Sequence, residues 1–164
     1  GNEQYTPRYG VEVLLPHIQH LKNKIIWCPF DREDSQFVQV LKENGFNIIY
    51  SHIDYGQDFL TYEPEKWDIL ISNPPYTNKR VYWERALDLK KPFALLLPLN
   101  ILSDSVINTT MKERERESFN YLYQVAGCDF IITKLKKLAI SQLLRHLILE
   151  LIFLNSKSFY KICY

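Results

Sequence analysis

Cysteine is scarce in this chain of 164 residues, and the three present, Cys28, Cys128 and Cys163, show neither paired zinc-site spacing nor the even number of a disulfide framework, so reduced thiols are expected. No long apolar run is uninterrupted: the stretch from Leu135 to Leu154 is broken by Lys136, Lys137, Arg145, His146 and Glu150, which argues against a membrane span. Charge of either sign is not in surplus. With 20 Lys and Arg against 19 Asp and Glu, the formal net charge is +1, so any nucleic-acid contact must rest on a local basic rim rather than on global charge. No signal-peptide pattern opens the sequence, which starts at Gly1, and a cytoplasmic location is the expectation. His17 and His20 have no neighbouring carboxylate or cysteine to complete a ligand set, so no metal is expected. Internal repeats and a second-domain boundary are also missing.

What is present is ordinary globular composition and an alternating pattern. The length suits one domain, residues 1–164, with enough chain to bury a core. Thr6 and Pro7 read as a cap and first-turn proline opening a helix that Pro16 bends or ends. Lys24 to Cys28 reads as a strand, Ser35 to Asn44 as an amphipathic helix closed by Gly45, and Phe46 to His52 as a second strand. Trp67 to Ser72 is a third strand, Arg80 to Leu89 a helix, and Phe93 to Leu99 a fourth strand whose apolar run suits burial on both faces. This alternation predicts an α/β fold with a mostly parallel central sheet flanked by helices.

The tetrapeptide Asn73-Pro74-Pro75-Tyr76 directly follows the third strand. In an open parallel sheet the carboxyl ends of the strands line the ligand crevice, so this turn lies where chemistry is expected. Its residue types suit a planar amine such as the exocyclic nitrogen of adenine, whose lone pair is delocalised into the ring. The Asn73 side-chain oxygen and the Pro74 carbonyl, stiffened by two prolines of fixed φ, can accept both amino hydrogens and favour a more pyramidal, more nucleophilic nitrogen. Tyr76 can stack on the ring of an extruded base. An ordinary turn would use the same residue types; the apolar strand immediately before them favours the functional reading.

On these residues the chain resembles the S-adenosylmethionine-dependent adenine-specific DNA amino-methyltransferases that carry an Asp/Asn-Pro-Pro-Tyr/Phe signature. The resemblance implies a Rossmann-like methyltransferase fold, S-adenosylmethionine as cofactor, DNA as partner, and catalytic roles for Asn73, Pro74, Pro75 and Tyr76. It also implies cofactor-binding roles along the earlier part of the chain. Tyr5, Thr6 and Pro7 match the amino-terminal motif that faces the methionine carboxylate. Cys28, Pro29 and Phe30 approach the methionine portion from the loop after the first strand, which departs from the family pattern in containing no glycine. Asp58 and Phe59 match the segment that binds and covers the adenine, although Asp58 also reads as a helix cap. At the end of the second strand, Asp54 is the expected ribose ligand in preference to His52, because a carboxylate can accept from both hydroxyls.

Lys79 and Arg80, with Arg85, Lys90 and Lys91 beyond them, are candidate phosphate contacts or equally a solvated helix face. The resemblance is good over residues 1–100. It fades over 101–164, where only Asp129 to Thr133 reads clearly as a strand, Lys112 to Glu117 reads as an exposed helical segment, and Leu135, Leu138, Leu144, Leu147, Ile148 and Leu151 recur at helical spacing. The end of the chain is therefore atypical, either divergent or incomplete. Methylation of adenine in DNA is the expected activity. An RNA base or a protein glutamine amide is the alternative substrate, and a catalytically silent nucleotide- or nucleic-acid-binding domain the alternative class.

Overall fold

A computed structural model describes residues 6–12, 14–96 and 105, and the backbone of 118–125 and 128–135. The chain begins with two short helices, α1 (Arg8–Glu12) and α2 (Leu15–Ile18). Pro16 lies in the first turn of α2, where a missing amide hydrogen leaves no helical bond unmade, so the helix breaks ahead of the proline and restarts on it. Strand β1 (Ile25–Cys28) follows, then α3 (Gln36–Glu43) and β2 (Asn47–Tyr50). Strand β3 (Ile69–Ser72), α4 (Lys79–Asp88) and β4 (Phe93–Leu96) complete the α/β part.

Helix α3 shows why the local sequence folds as it does. Phe37, Val38, Val40 and Leu41 share one stripe and are all buried. Ser35, in extended backbone, accepts a hydrogen bond from the Val38 amide at 3.3 Å and caps the helix. At the other end Gly45 takes φ +78°. Its amide donates to Lys42 O at 3.0 Å while the Phe46 amide donates to Leu41 O at 3.0 Å, the pair of bonds that closes a left-handed helix terminus.

The strands pair in the order β2-β1-β3-β4, all parallel, and the sheet continues through β6 (Cys128–Leu135) and β5 (Ser118–Val125), each antiparallel to its neighbour. Strand β5 was not expected from the sequence: Phe119, Tyr121, Tyr123 and Val125 recur at the period of a strand, but Leu122 interrupts the polar positions Ser118, Asn120 and Gln124 between them. Leu135 ends β6 rather than starting a helical stripe. The segment 112–117 and the other members of that stripe lie outside the described residues.

Alternation along the strands divides the interior into two cores. Ile26, Cys28, Ile71, Ala94 and Leu96 point to the face covered by α1, α2 and α3, where the packing is largely aliphatic. Trp27, Leu70, Phe93 and Leu95 point to the other face and meet Phe59, Trp67 and, from α4, Trp83 and Ala86. The sheet is thus buried on both sides, which explains the continuous apolar runs of its strands. Arg8 joins the first layer at its rim by pairing with both Glu12 and Glu43, tying α1 to α3.

No heavy atom lies within 4 Å of where a Gly45 Cβ would stand, so an alanine there meets only the backbone cost of a positive φ. Gly45→Ala should lower stability by about 1 kcal/mol, read as a shift of the urea midpoint at constant slope.

Candidate active site

The chain leaves β1 toward β2 on one side, and the next strand, β3, pairs on the other. Such a reversal of strand order parts the loops at the carboxyl ends and opens a crevice. A cleft of about 290 Å³ lies there, near the lower end of the usual range for ligand sites. Its walls come from the loop after β1 (Pro29, Phe30, Asp31, Arg32, Asp34), the start of α3 (Ser35, Gln36, Phe37), the segment after β2 (His52, Ile53, Asp58, Phe59), the turn after β3 (Asn73, Pro74, Pro75), Thr6 and Tyr82.

The loop after β1 turns without glycine because it needs no left-handed backbone. Among the described residues the positive φ values belong to Gly45, Gly56 and Lys90. Main-chain bonds instead stitch the loop to the end of β2: the Ser51 amide donates to Cys28 O at 3.1 Å, and the Asp31 amide donates to Ser51 O at 3.1 Å. This carries the Asp31 side chain inward. Its carboxylate is 6% exposed, and it accepts from the hydroxyls of Ser72, the last residue of β3, and Ser35, the cap of α3. Burial pushes the Asp31 carboxyl up to about 6, against the opposing pull of the Ser72 and Ser35 hydroxyls and nearby His52. Nothing in the sequence reading singled out this residue.

Asn73 stands at the end of β3 and donates from Nδ2 to Thr6 Oγ1 at 2.8 Å, joining the turn after β3 to the amino-terminal segment across 67 positions. Its Oδ1 atom is buried. Pro74 is buried and Pro75 exposed, and both line the cleft beside Asn73. Tyr76 opens the single 3-10 turn Tyr76–Asn78 that leads into α4; its side chain, like the whole of Tyr5, lies outside the described residues.

Other expected residues are distributed unevenly. Pro29, Phe30, Asp58 and Phe59 line the cleft. Asp58 also accepts from the Leu60 amide through Oδ1 at 2.9 Å, closing a short turn and not the helix cap that was the alternative expectation, since no helix directly follows it; a carboxylate's second oxygen is compatible with a ligand role as well. Phe59 is 2% exposed, and its ring packs 4.8 Å from Phe30 and 5.4 Å from Trp27. Tyr82, unexpected from the sequence, stands 4.8 Å from Phe30 and completes an aromatic wall.

Three of the expected cofactor residues are not among those lining the cleft. Cys28 points into the aliphatic core, where burial and the neighbouring Asp31 push its thiol well above the usual range and keep it neutral. Pro7 precedes α1 away from the cleft wall. Asp54 is drawn outward by Arg32, whose guanidinium meets its carboxylate at 3.1 Å, and His52 takes the place on the cleft side. His52 Nδ1 accepts from the Asp54 amide at 3.1 Å, which fixes the ring.

Lys79 is half-buried and Arg80 exposed, both in the first turn of α4 just past the turn after β3. Arg85 donates to Phe59 O at 3.3 Å, and Lys91 donates to Trp67 O at 2.9 Å while lying over its ring, so both serve the packing of the fold. Among the described residues no cluster of His, Cys, Asp or Glu has the make-up of a metal site, and no helix is long and apolar enough to cross a membrane.

No family model and no curated protein sequence matches the chain. Among solved structures, it is similar to a provisionally assigned class I S-adenosylmethionine-dependent methyltransferase from Listeria monocytogenes, with a TM-score of 0.50 and 13% identity over 85% of this chain. The chain spans 63% of the length of that protein. A second similar structure is the N-terminal domain of human METTL16 in complex with SAH, with a TM-score of 0.39 and 13% identity, covering 80% of this chain and 72% of that one. The fold is therefore the Rossmann-like α/β fold of class I methyltransferases, as the strand order and the crevice indicate.

The Asp31 carboxyl supplies a test of the site's electrostatics. A carboxyl raised on folding holds its proton in the native state at pH values where the unfolded chain has lost it. Its favourable contribution is complete below the unfolded value of 3.8 and disappears as pH rises through about 6. Asp31→Asn should consequently raise stability at pH 7 to 8 by about 3 kcal/mol relative to its effect near pH 3. Urea unfolding of both proteins across that range measures the difference.

Proposed function

We propose that the chain transfers a methyl group from S-adenosylmethionine to the exocyclic amine of adenine in DNA. The observation that carries this reading is the position of Asn73: anchored by Thr6 at the end of β3, it opens onto the same cleft as the loop after β1. An amide acceptor for an amine and a crevice for a nucleoside thus share one space.

The side chains around the cleft fit such a cofactor. Asp31 and Asp58 are acidic, His52 offers a ring nitrogen, Thr6 a hydroxyl, and Ile53, Phe30 and Phe59 provide apolar cover for a base. When bound, S-adenosylmethionine supplies a methyl on a positively charged sulfur and leaves as a neutral thioether. Asn73 Oδ1 and the Pro74 carbonyl accept the two amino hydrogens and hold the nitrogen lone pair toward the methyl. The nitrogen takes the methyl and releases one proton to water, so no metal and no dedicated base is needed. Tyr76 stacks on the extruded base, a contact worth about 1–3 kcal/mol, and Lys79 and Arg80 lie where phosphates flanking that base would pass.

Incubation with labelled S-adenosylmethionine and duplex DNA, single-stranded DNA, RNA or a glutamine-containing peptide, followed by mass spectrometry, should give N6-methyladenine from DNA. Label in RNA or peptide alone would move the activity to that substrate, and cofactor binding without transfer to any of them would mark a silent domain. Asn73→Ala should lower kcat by about 100-fold while changing cofactor affinity by less than about threefold, because an interaction strengthened in the transition state appears in the chemical rate. An alanine variant with unchanged kcat would remove Asn73 from the mechanism.

A further inference from the structure

The electrostatics of the cleft contain a second choice, independent of the amine. In open α/β sheets the helix after the first strand turns its amino terminus to the crevice, and there it ordinarily attracts a phosphate. In this chain that position is already filled by negative charge of its own. Ser35 caps α3 by accepting from the Val38 amide, and the Asp31 carboxylate lies against the Ser35 hydroxyl, held from the other side by Ser72. A phosphate entering here would meet a carboxylate that is 6% exposed. Like charges repel strongly where water is excluded.

A ligand carrying positive charge would have the opposite effect. The groups packed against Asp31 are mostly uncharged. Cys28 on β1 is a buried neutral thiol, Ser35 on α3 and Ser72 on β3 contribute hydroxyls, and His52 stands near from the end of β2. The adjacent cation, Arg32, also lines the cleft, but it is paired with the carboxylates of Asp54 at 3.1 Å and Asp34 at 3.7 Å, so it brings no surplus positive charge. A buried carboxylate of this kind costs stability, and such groups gather where a ligand uses them.

We propose that Asp31 is the specificity-determining carboxylate of the cleft: it rejects phosphate-bearing nucleotides and favours a phosphate-free, positively charged nucleoside over its neutral counterpart. This rests on the cofactor assignment above and gives it direction. The charged methyl donor binds more tightly than the neutral thioether left after transfer, so spent cofactor is released in favour of fresh.

Calorimetric titration of the full chain with S-adenosylmethionine, S-adenosylhomocysteine and ADP, at about pH 7 and about pH 5, tests the proposal on either side of the Asp31 titration. The unmodified protein should prefer the charged ligand by about tenfold at the higher pH, the scale of one screened charge contact, show a smaller preference at the lower, and leave ADP unbound. In Asp31→Asn the preference should fall to near unity at both pH values, S-adenosylhomocysteine affinity should stay within about threefold, and ADP binding should appear. Should the variant not fold, the pH series on the unmodified protein decides. Equal affinity for the two ligands at the higher pH would overturn the role of Asp31 while leaving the cofactor assignment intact. Parallel loss of both ligands in Asp31→Asn would show a merely structural residue, and a preference for the charged ligand that persists in the variant would assign the discrimination to another group of the cleft; either result overturns the proposal. If the unmodified protein binds neither ligand, the cofactor assignment itself fails and the proposal with it.

Discussion

The interaction on which the rest of this site depends is the buried hydrogen bonding of Asp31. One carboxylate accepts from Ser35 at the start of α3 and from Ser72 at the end of β3, while its own amide is bound to Ser51 beyond β2. Four elements that the chain visits at well-separated times are therefore fastened at a single point. Ser72 directly precedes Asn73, so the same fastening sets where the Asn73-Pro74-Pro75 turn leaves the sheet. Glycine, which permits close backbone approach, is unnecessary where a side chain and two main-chain bonds define the loop.

Much of the fold was legible because burial on both faces leaves a local trace. Strands β1, β3 and β4 are short apolar runs, and α3 carries a stripe, a serine cap and a terminal glycine that each have a mechanical meaning. Strand ends were less legible. His52, read as part of the second strand, lies beyond β2 and caps a short turn with its ring nitrogen. Strand β5 was less legible because Leu122 interrupts its period-two alternation and leucines at helical spacing follow it in the sequence.

The site divided along the same line. Asn73 and its neighbours were legible from a local motif after a strand, whereas Asp31 was not: within Asp31-Arg32-Glu33-Asp34 it looks like one more solvated charge. Its burial is created by Ser72, 41 positions away. Asp54 failed to reach the cleft for a similar reason, since the Arg32 that draws it outward lies 22 positions earlier. Pairings at that range are decided by topology, and no window of neighbouring residues contains them.

The division of the interior into an aliphatic layer and an aromatic one has an optical consequence. All three tryptophans of the chain, Trp27, Trp67 and Trp83, lie in the core on the α4 side of the sheet. Trp27 touches Phe59, and Phe59 is part of the cleft wall. Intrinsic emission from this protein is therefore a report from one layer only. It is blind to rearrangement beneath α1 and α3, but sensitive to whatever presses on the ring that separates indole from ligand.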